Sequence, residues 1–475
     1  MLIAASIAGF IANLFLGLIV FGSGARYPEA SAALLLAWVF FCIQFAFMAG
    51  NRKLMPLTFS FMIYWGYGFL LPGLYQVRNE DFFWPSRSID NPYVATASAV
   101  ALLASFALTL GFILNNSPDV GRKRLSFADS SGGLPSVAAT TMVVLGGTGL
   151  VALIALAVGP FIFFLPRLAL AQLEGLNSTT FGLVIVLTRG IGLGLLAVAA
   201  ISHTRLRRPL TLMLLILTLC VNFVVNFPLA VPRYYLVAFL FVFSLTLMRG
   251  AFQRFRLLAY FGAPILLYLV FPTLGRFNRA TEFDFSFTQI DVREYLSHGD
   301  LDGFESIMNA ALMVSEHGYT YGTRLLSAFF FFVPRAIWSG KQIPTGHDAG
   351  GNAGYEFTRV SMPLPGEIYA DAGLVLVAVL MFIVGWYMRQ FDREFWAARS
   401  NVSVAITTLL AGFAPIIFRG SLLSTIQALV CSLFVVAGWH VLSTVFGSAA
   451  RGGRPAPRRA PRSGHLPASS KEPHS

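Results

Sequence analysis

Two carboxylates, Glu367 and Asp371, stand four residues apart in Pro-Gly-Glu-Ile-Tyr-Ala-Asp-Ala-Gly (365–373). On a helix they share one face, from which a carboxylate can take a proton from a hydroxyl. The plainer alternative is helix-start electrostatics, because acids in a first turn favour the dipole. His317 and His347, in polar sequence nearby, offer acid–base chemistry or only an exposed ring. Arginines surround this region: Arg233 in Pro232-Arg233-Tyr234, Arg276 and Arg279 at i, i+3, and Arg335 just after the run Phe329–Phe332. Arg189 lies inside an apolar run, where a charge costs at least ~2.5–3.5 kcal/mol in lipid, so it should face a protein cavity. Guanidinium groups are permanently charged and grip phosphate oxygens in pairs, so this set suits a pyrophosphate. Each has a structural alternative: snorkelling at a helix end for Arg276 and Arg279, a helix cap for Arg335, a buried pair or carbonyl contact for Arg189.

The elements that must hold these groups are apolar helices. Of 475 residues, 56% are hydrophobic and 12% charged, against about 25% charged in soluble domains. Apolar runs recur at the length that about 30 Å of hydrocarbon requires of a helix, far too long for barrel strands. Twelve spans are predicted, near 2–22, 29–49, 57–75, 92–114, 136–159, 180–203, 209–228, 233–248, 257–275, 365–388, 401–418 and 420–446. The first lacks a basic n-region and a small-residue cleavage site, so it reads as a retained helix. The expectation is an all-α polytopic membrane protein. Nine helices fill residues 1–275, one large loop 276–364, three helices 365–446, and a disordered basic tail 447–475.

Lysine and arginine set the orientation. With a cytoplasmic N-terminus, the even-numbered connections and the tail hold 20 of the 34 basic residues, among them Arg122, Lys123, Arg124, Arg205, Arg207 and Arg208. The opposite connections before residue 275 hold only Arg26, Arg78, Arg87, Arg167 and Arg233. Both termini are therefore expected in the cytoplasm and the large loop outside it. Topology accounts for most of the net charge of +12, so no nucleic-acid partner is needed, and the Arg-rich tail can touch anionic lipid. Cys42, Cys220 and Cys431 fall within spans and read as packing residues. No Walker loop, dinucleotide fingerprint, nucleophile elbow or zinc spacing appears, so neither a cofactor nor a metal is expected.

A connection this long is uncommon without a function. Residues 276–371 hold 12 of the 22 acidic residues. Phe304, Ile307, Met308, Ala311, Leu312 and Ser315 form an i, i+3, i+4 stripe, predicting a short amphipathic helix. Tyr321 to Val333 is very apolar but too short to span, so it reads as an interfacial or re-entrant helix ending at Pro334. The loop is expected to fold back as a lid.

The stretches His317-Gly-Tyr-Thr-Tyr-Gly and Phe-Phe-Val-Pro-Arg-Ala-Ile-Trp-Ser-Gly-Lys (331–341), with 365–373 leading into an apolar helix, resemble the outer loop of Wzy-type O-antigen or oligosaccharide repeat-unit polymerases. The resemblance covers roughly 75 residues. An Arg-x10-Gly pattern described for some members is met by Arg335 and Gly346, while Arg233 is followed by Ser244 at that offset. Where the family is often drawn with Asn-Phe-Gly, this chain has Asp371-Ala372-Gly373.

The resemblance implies a membrane glycosyltransferase at the periplasmic face of a bacterial inner membrane, making O-antigen, capsule or exopolysaccharide without a metal. A growing glycan on undecaprenyl pyrophosphate is the donor, and an incoming lipid-linked repeat unit is the acceptor. A chain-length regulator and a repeat-unit flippase are the implied partners. Arg335, Arg233, Arg276, Arg279, Arg189 and Lys341 become the pyrophosphate and substrate set. Glu367, Asp371, His317 and His347 become the candidates for the acceptor proton. An O-antigen ligase-type transferase uses similar topology. A lipid-linked oligosaccharide flippase would call for internal repeats and midplane charges, and apart from Arg189 the spans are nearly uncharged.

Overall fold

The computed structural model describes residues 2–21, 26–84, 86–115, 134–165, 178–228, 230–279, 291–357, 360–397 and 400–452. Every regular element among them is helical: α1 (Leu2–Phe21), α2 (Pro28–Ala49), α3 (Pro56–Asn79), α4 (Asn91–Leu114), α5 (Val137–Val158), α6 (Ser178–Leu206), α7 (Pro209–Val225), α8 (Arg233–Leu247), α9 (Arg249–Arg254), α10 (Arg256–Arg279), α11 (Val292–Leu296), α12 (Gly303–His317), α13 (Thr323–Phe329), α14 (Thr345–Asn352), α15 (Leu364–Ala397), α16 (Asn401–Arg419) and α17 (Leu422–Gly452). The basic tail after residue 452 lies outside the described residues. The chain is an all-α polytopic membrane protein. Ten of these helices are long and apolar enough to cross a membrane. The other two expected spans are the shorter apolar helices α7 and α8, of 17 and 15 residues. Pro209 starts α7, and Pro228 and Pro232 occupy the turn before α8, where neither can donate an N–H to extend a helix.

Close backbone approach holds the bundle together. A Cβ on Gly111 of α4 would lie 2.1 Å from the Phe382 carbonyl oxygen of α15, and one on Gly385 2.1 Å from that of Leu108. The α6–α17 pair repeats this device, with Gly190 against the Ala428 carbonyl at 2.2 Å. Membrane helices gain little from excluding water from one another, so small residues that bring backbones together supply the packing instead. At the centre runs α3, almost wholly buried and underwound into a π-helical stretch at Ile63–Leu70. Asp392 of α15 accepts from the Leu57 and Thr58 N–H groups at 2.8 and 3.1 Å, satisfying the start of α3 from a neighbouring helix.

Helices α8, α15 and α17 begin, and α16 ends, at the end of the bundle that carries α11–α14. That end is the loop end of the bundle. The expected amphipathic stripe is wider in the structure. Every residue of α12 from Gly303 to Val314 is buried, against α3, α4, α14 and α15. This part of the long connection is thus packed into the bundle end. Of the apolar stretch expected to be helical from Tyr321 to Val333, only Thr323–Phe329 folds as a helix, α13, and Phe330 to Val333 form a turn and a bend, with Phe329, Phe330 and Phe332 exposed.

Candidate functional site

The turn between α11 and α12, His298 to Asp302, gathers the densest charge of the loop end. Arg233, the first residue of α8, donates to the Asp300 carboxylate at 2.5 Å and to the Phe271 carbonyl of α10 at 2.7 Å. Both side chains of this ion pair are under a tenth exposed. Burial alone would raise the Asp300 carboxyl, but the His298 ring, Arg233 and Arg419 hold it well below the usual carboxylate range. Arg419 arrives from the opposite direction, as the last residue of α16, where a cation suits the helix dipole. Its Nε donates to the Asp300 carbonyl at 3.2 Å, its Nη2 stands 3.7 Å from Asp302, and its guanidinium lies 5.0 Å from the Tyr234 ring centre. Arg419 keeps 24% of its side chain exposed, more than Arg233 with 9%.

Asp302 accepts the Ser361 hydroxyl at 2.5 Å, and one turn on Glu305 accepts the Tyr355 phenol at 2.9 Å. Burial pushes both carboxyls up, Glu305 to about 8, against opposing pulls from Arg419 and Ser361 on Asp302 and from Tyr355 on Glu305. The Tyr234 and Tyr295 hydroxyls are buried without a hydrogen-bond partner beside these charges. Arg189 stands on α6. Its Nε donates to the Val225 carbonyl at 3.3 Å, and it lies 5.6 Å from the Tyr235 ring. Arg189 is buried and makes the carbonyl contact that the sequence offered as its structural alternative, beside the first turn of α8.

Glu367 and Asp371 serve different helix starts. Each is almost fully buried. Glu367 accepts the Leu422 N–H at 2.6 Å and the Thr345 hydroxyl at 2.9 Å, tying α15 to α17 and α14. Asp371 accepts the Thr320 hydroxyl at 2.6 Å and the N–H groups of Gly322, Arg324 and Leu325 at 2.9, 3.2 and 3.1 Å. It therefore caps α13 from another helix, satisfying donors that no intrahelical carbonyl can reach. A break in α15 aims it there: Ala372 and Gly373 leave helical geometry, and the φ of +76° at Gly373 is one that only glycine adopts cheaply. The acids do act on helix starts, but on those of neighbours rather than on their own. Arg324, in the first turn of α13, is 5% exposed and pairs with Asp348 at 2.5 Å.

Arg335 and Lys341 close a loop between α13 and α14. Arg335 donates to the Lys341 and Gln342 carbonyls at 2.7 and 3.0 Å, and Lys341 to those of Phe331 and Val333 at 2.5 and 2.8 Å. Burial and the neighbouring Arg335 lower the Lys341 ammonium. His317 meets Asn352 at 2.8 Å on the surface, and His347 is exposed on α14. The backbone of Arg276 and Arg279 continues α10, but their side chains lie outside the described residues.

The structure thus makes two groups of the expected residues. Arg233 joins Arg419, Asp300, Asp302 and Glu305, while Arg189 packs against Tyr235 and the Val225 carbonyl. Glu367 and Asp371 join Arg324 and Asp348. Arg419 is the residue that sequence reasoning missed, although it carried the same signal as Arg233: a lone arginine at a helix end on the side poor in basic residues. Comparison with known protein families, with curated proteins and with solved structures finds no match to this chain.

Proposed function

We propose that this protein joins lipid-pyrophosphate-linked oligosaccharides at the loop end, which on the arginine asymmetry faces the periplasm of a bacterial inner membrane with both termini in the cytoplasm. The observation that carries the reading is the convergence of Arg233 and Arg419, rooted in two different apolar helices, on the turn from His298 to Asp302. An arginine at the mouth of a membrane bundle, backed by a buried partner, is suited to a pyrophosphate whose lipid tail stays in the bilayer.

In this reading the bond between the donor's reducing-end carbon and the pyrophosphate oxygen breaks, and an acceptor hydroxyl oxygen forms the new glycosidic bond. The electron pair of the broken bond leaves on the pyrophosphate, where Arg419 offsets the charge. Such stabilisation of developing charge is the largest expected contribution to rate. The acceptor proton passes to a carboxylate, and Asp302 stands beside Arg419 with its carboxyl raised, which makes its anion the stronger base.

Deletion of the gene tests the class. A polymerase leaves single repeat units on the lipid carrier, whereas finished polymer held on that carrier marks a ligase and refutes the proposal. Within a polymerase, Arg419→Met should remove the polymer ladder while the protein still folds into the membrane. A normal ladder takes Arg419 out of the mechanism.

A further inference from the structure

We infer that the two segments packed over the face of α12 from Glu305 to Glu316 form a ledge that binds the sugar rings of the substrate. This rests on the reading above and adds where the glycan lies. Two segments flank that face. From one side the Ser86 and Ser88 hydroxyls donate to Asn309 at 2.8 and 2.6 Å, and Arg87 donates to Glu316 at 2.7 Å. From the other, Tyr355 bonds Glu305 and Asn352 donates to Glu316 at 2.9 Å. The two segments meet where the Trp84 and Phe357 rings approach to 4.2 Å.

The surface they make has two parts. Near the start of α12 it is aromatic. Phe83 stands edge-on to Trp84 at 4.3 Å, Tyr355 lies parallel to Phe357, and Phe83 and Phe357 are 39% and 38% exposed. Near the end of α12 it is a chain of planar polar groups, in which Arg87, Glu316, Asn352 and His317 are hydrogen-bonded in series at the surface. A sugar ring has an apolar C–H face and a rim of hydroxyls. Aromatic faces suit the first, and side chains that donate and accept in one plane suit the second. The distance from Glu305 to Glu316 along the helix is roughly 16 Å, room for more than one ring.

The ledge is continuous with the charged turn. Phe83 lies 5.1 Å from the His298 ring, and Gly299 is so close that a Cβ there would sit 2.7 Å from Phe83 and 3.1 Å from Trp84. The next residue is Asp300, the partner of Arg233. One turn of chain therefore carries the aromatic wall on one side and the arginines on the other. A glycan attached to a pyrophosphate held at Arg419 would run out along α12.

The test uses the full chain in nanodiscs, with lipid-linked repeat units extracted from a strain lacking this protein. Phe83→Ala, Phe357→Ala and Arg87→Ala change partly exposed groups, and each is assayed well below its own melting temperature so that KM is compared on folded protein. Each should raise KM for the lipid-linked repeat roughly threefold to tenfold, the factor one ring contact supplies, with inhibition by inorganic pyrophosphate unchanged. Arg419→Met should instead abolish elongation and weaken direct binding of inorganic pyrophosphate, read by calorimetry. A KM within a factor of about 1.5 of wild type for all three ledge variants overturns the ledge and leaves the polymerase reading intact. If wild-type protein elongates nothing, the polymerase reading falls. The ledge is then judged by saturation-transfer NMR with the oligosaccharide freed from the same lipid by mild acid: transfer that is lost in Phe357→Ala sustains it, and no transfer to wild type overturns it.

Discussion

Replacing Arg233 with methionine tests the electrostatic core of the loop end. Its guanidinium and the Asp300 carboxylate are both under a tenth exposed, so the substitution strands a buried anion. Breaking a buried pair from one side costs about 3–5 kcal/mol, and the Phe271 carbonyl also loses its donor, adding roughly 1 kcal/mol. Arg419 offsets part of the loss, because it donates to the Asp300 carbonyl and its charge also favours the Asp300 anion. A net cost of about 3–4 kcal/mol follows. Asp300→Asn in the same chain removes the stranded charge and should recover most of that cost, leaving a residual of about 1 kcal/mol. Equilibrium unfolding of the purified protein in micelles, read for both single variants and the double variant, gives the coupling directly. If Arg233→Met costs less than about 1 kcal/mol, or the two changes simply add, the pair is solvated and the argument for a buried charged turn fails.

Asp371→Asn keeps the side-chain shape but removes the anion that caps α13, and should cost about 2–4 kcal/mol in the same assay. The buried Glu305 carboxyl titrates near 8 when folded against 4.5 in the free residue, so its contribution is fully present below pH 4.5 and is lost as pH rises through about 8. Melting temperature should therefore fall between about pH 4.5 and 8, and Glu305→Gln should flatten that slope. Gly385→Ala pushes a methyl onto the Leu108 carbonyl of α4 and should destabilise by at least about 1–3 kcal/mol, whereas Ala at the open Gly146 should be neutral.

The membrane class was legible because hydrophobic run length follows from bilayer thickness, and each expected span corresponds to a helix. The shortness of α7 and α8 was harder to see. Their apolar composition continues to the turn, and only the prolines at 209, 228 and 232 set the limits. The stripe on α12 revealed a helix but not its complete burial, which depends on neighbours more than 200 residues away in sequence, such as Trp84 against Glu305. Glu367 and Asp371 showed the limit most clearly. Sequence spacing put them on one helical face, but their partners, Leu422 and Leu325, are fixed by tertiary packing and by a helix break at Gly373.

The two charged groups of the loop end are joined through one short junction, residues 419 to 422. Arg419 sends its side chain to Asp300 and Asp302, and its carbonyl accepts the Met362 N–H at 3.0 Å. Ser421 accepts the Gly346 N–H of α14 at 2.8 Å, and the Leu422 N–H goes to Glu367. The same segment that meets Arg419 also carries Ser361, which donates to Asp302. A shift of the α16–α17 junction would thus move Arg419 and the cap of α17 together. On the proposed reading, Glu367 is a positioning residue in this arrangement. It holds the backbone that holds Arg419, so Glu367→Gln should weaken inhibition by inorganic pyrophosphate although Glu367 itself lies in the other group. Unchanged inhibition with a lowered unfolding free energy would show that the junction supports the fold without positioning Arg419.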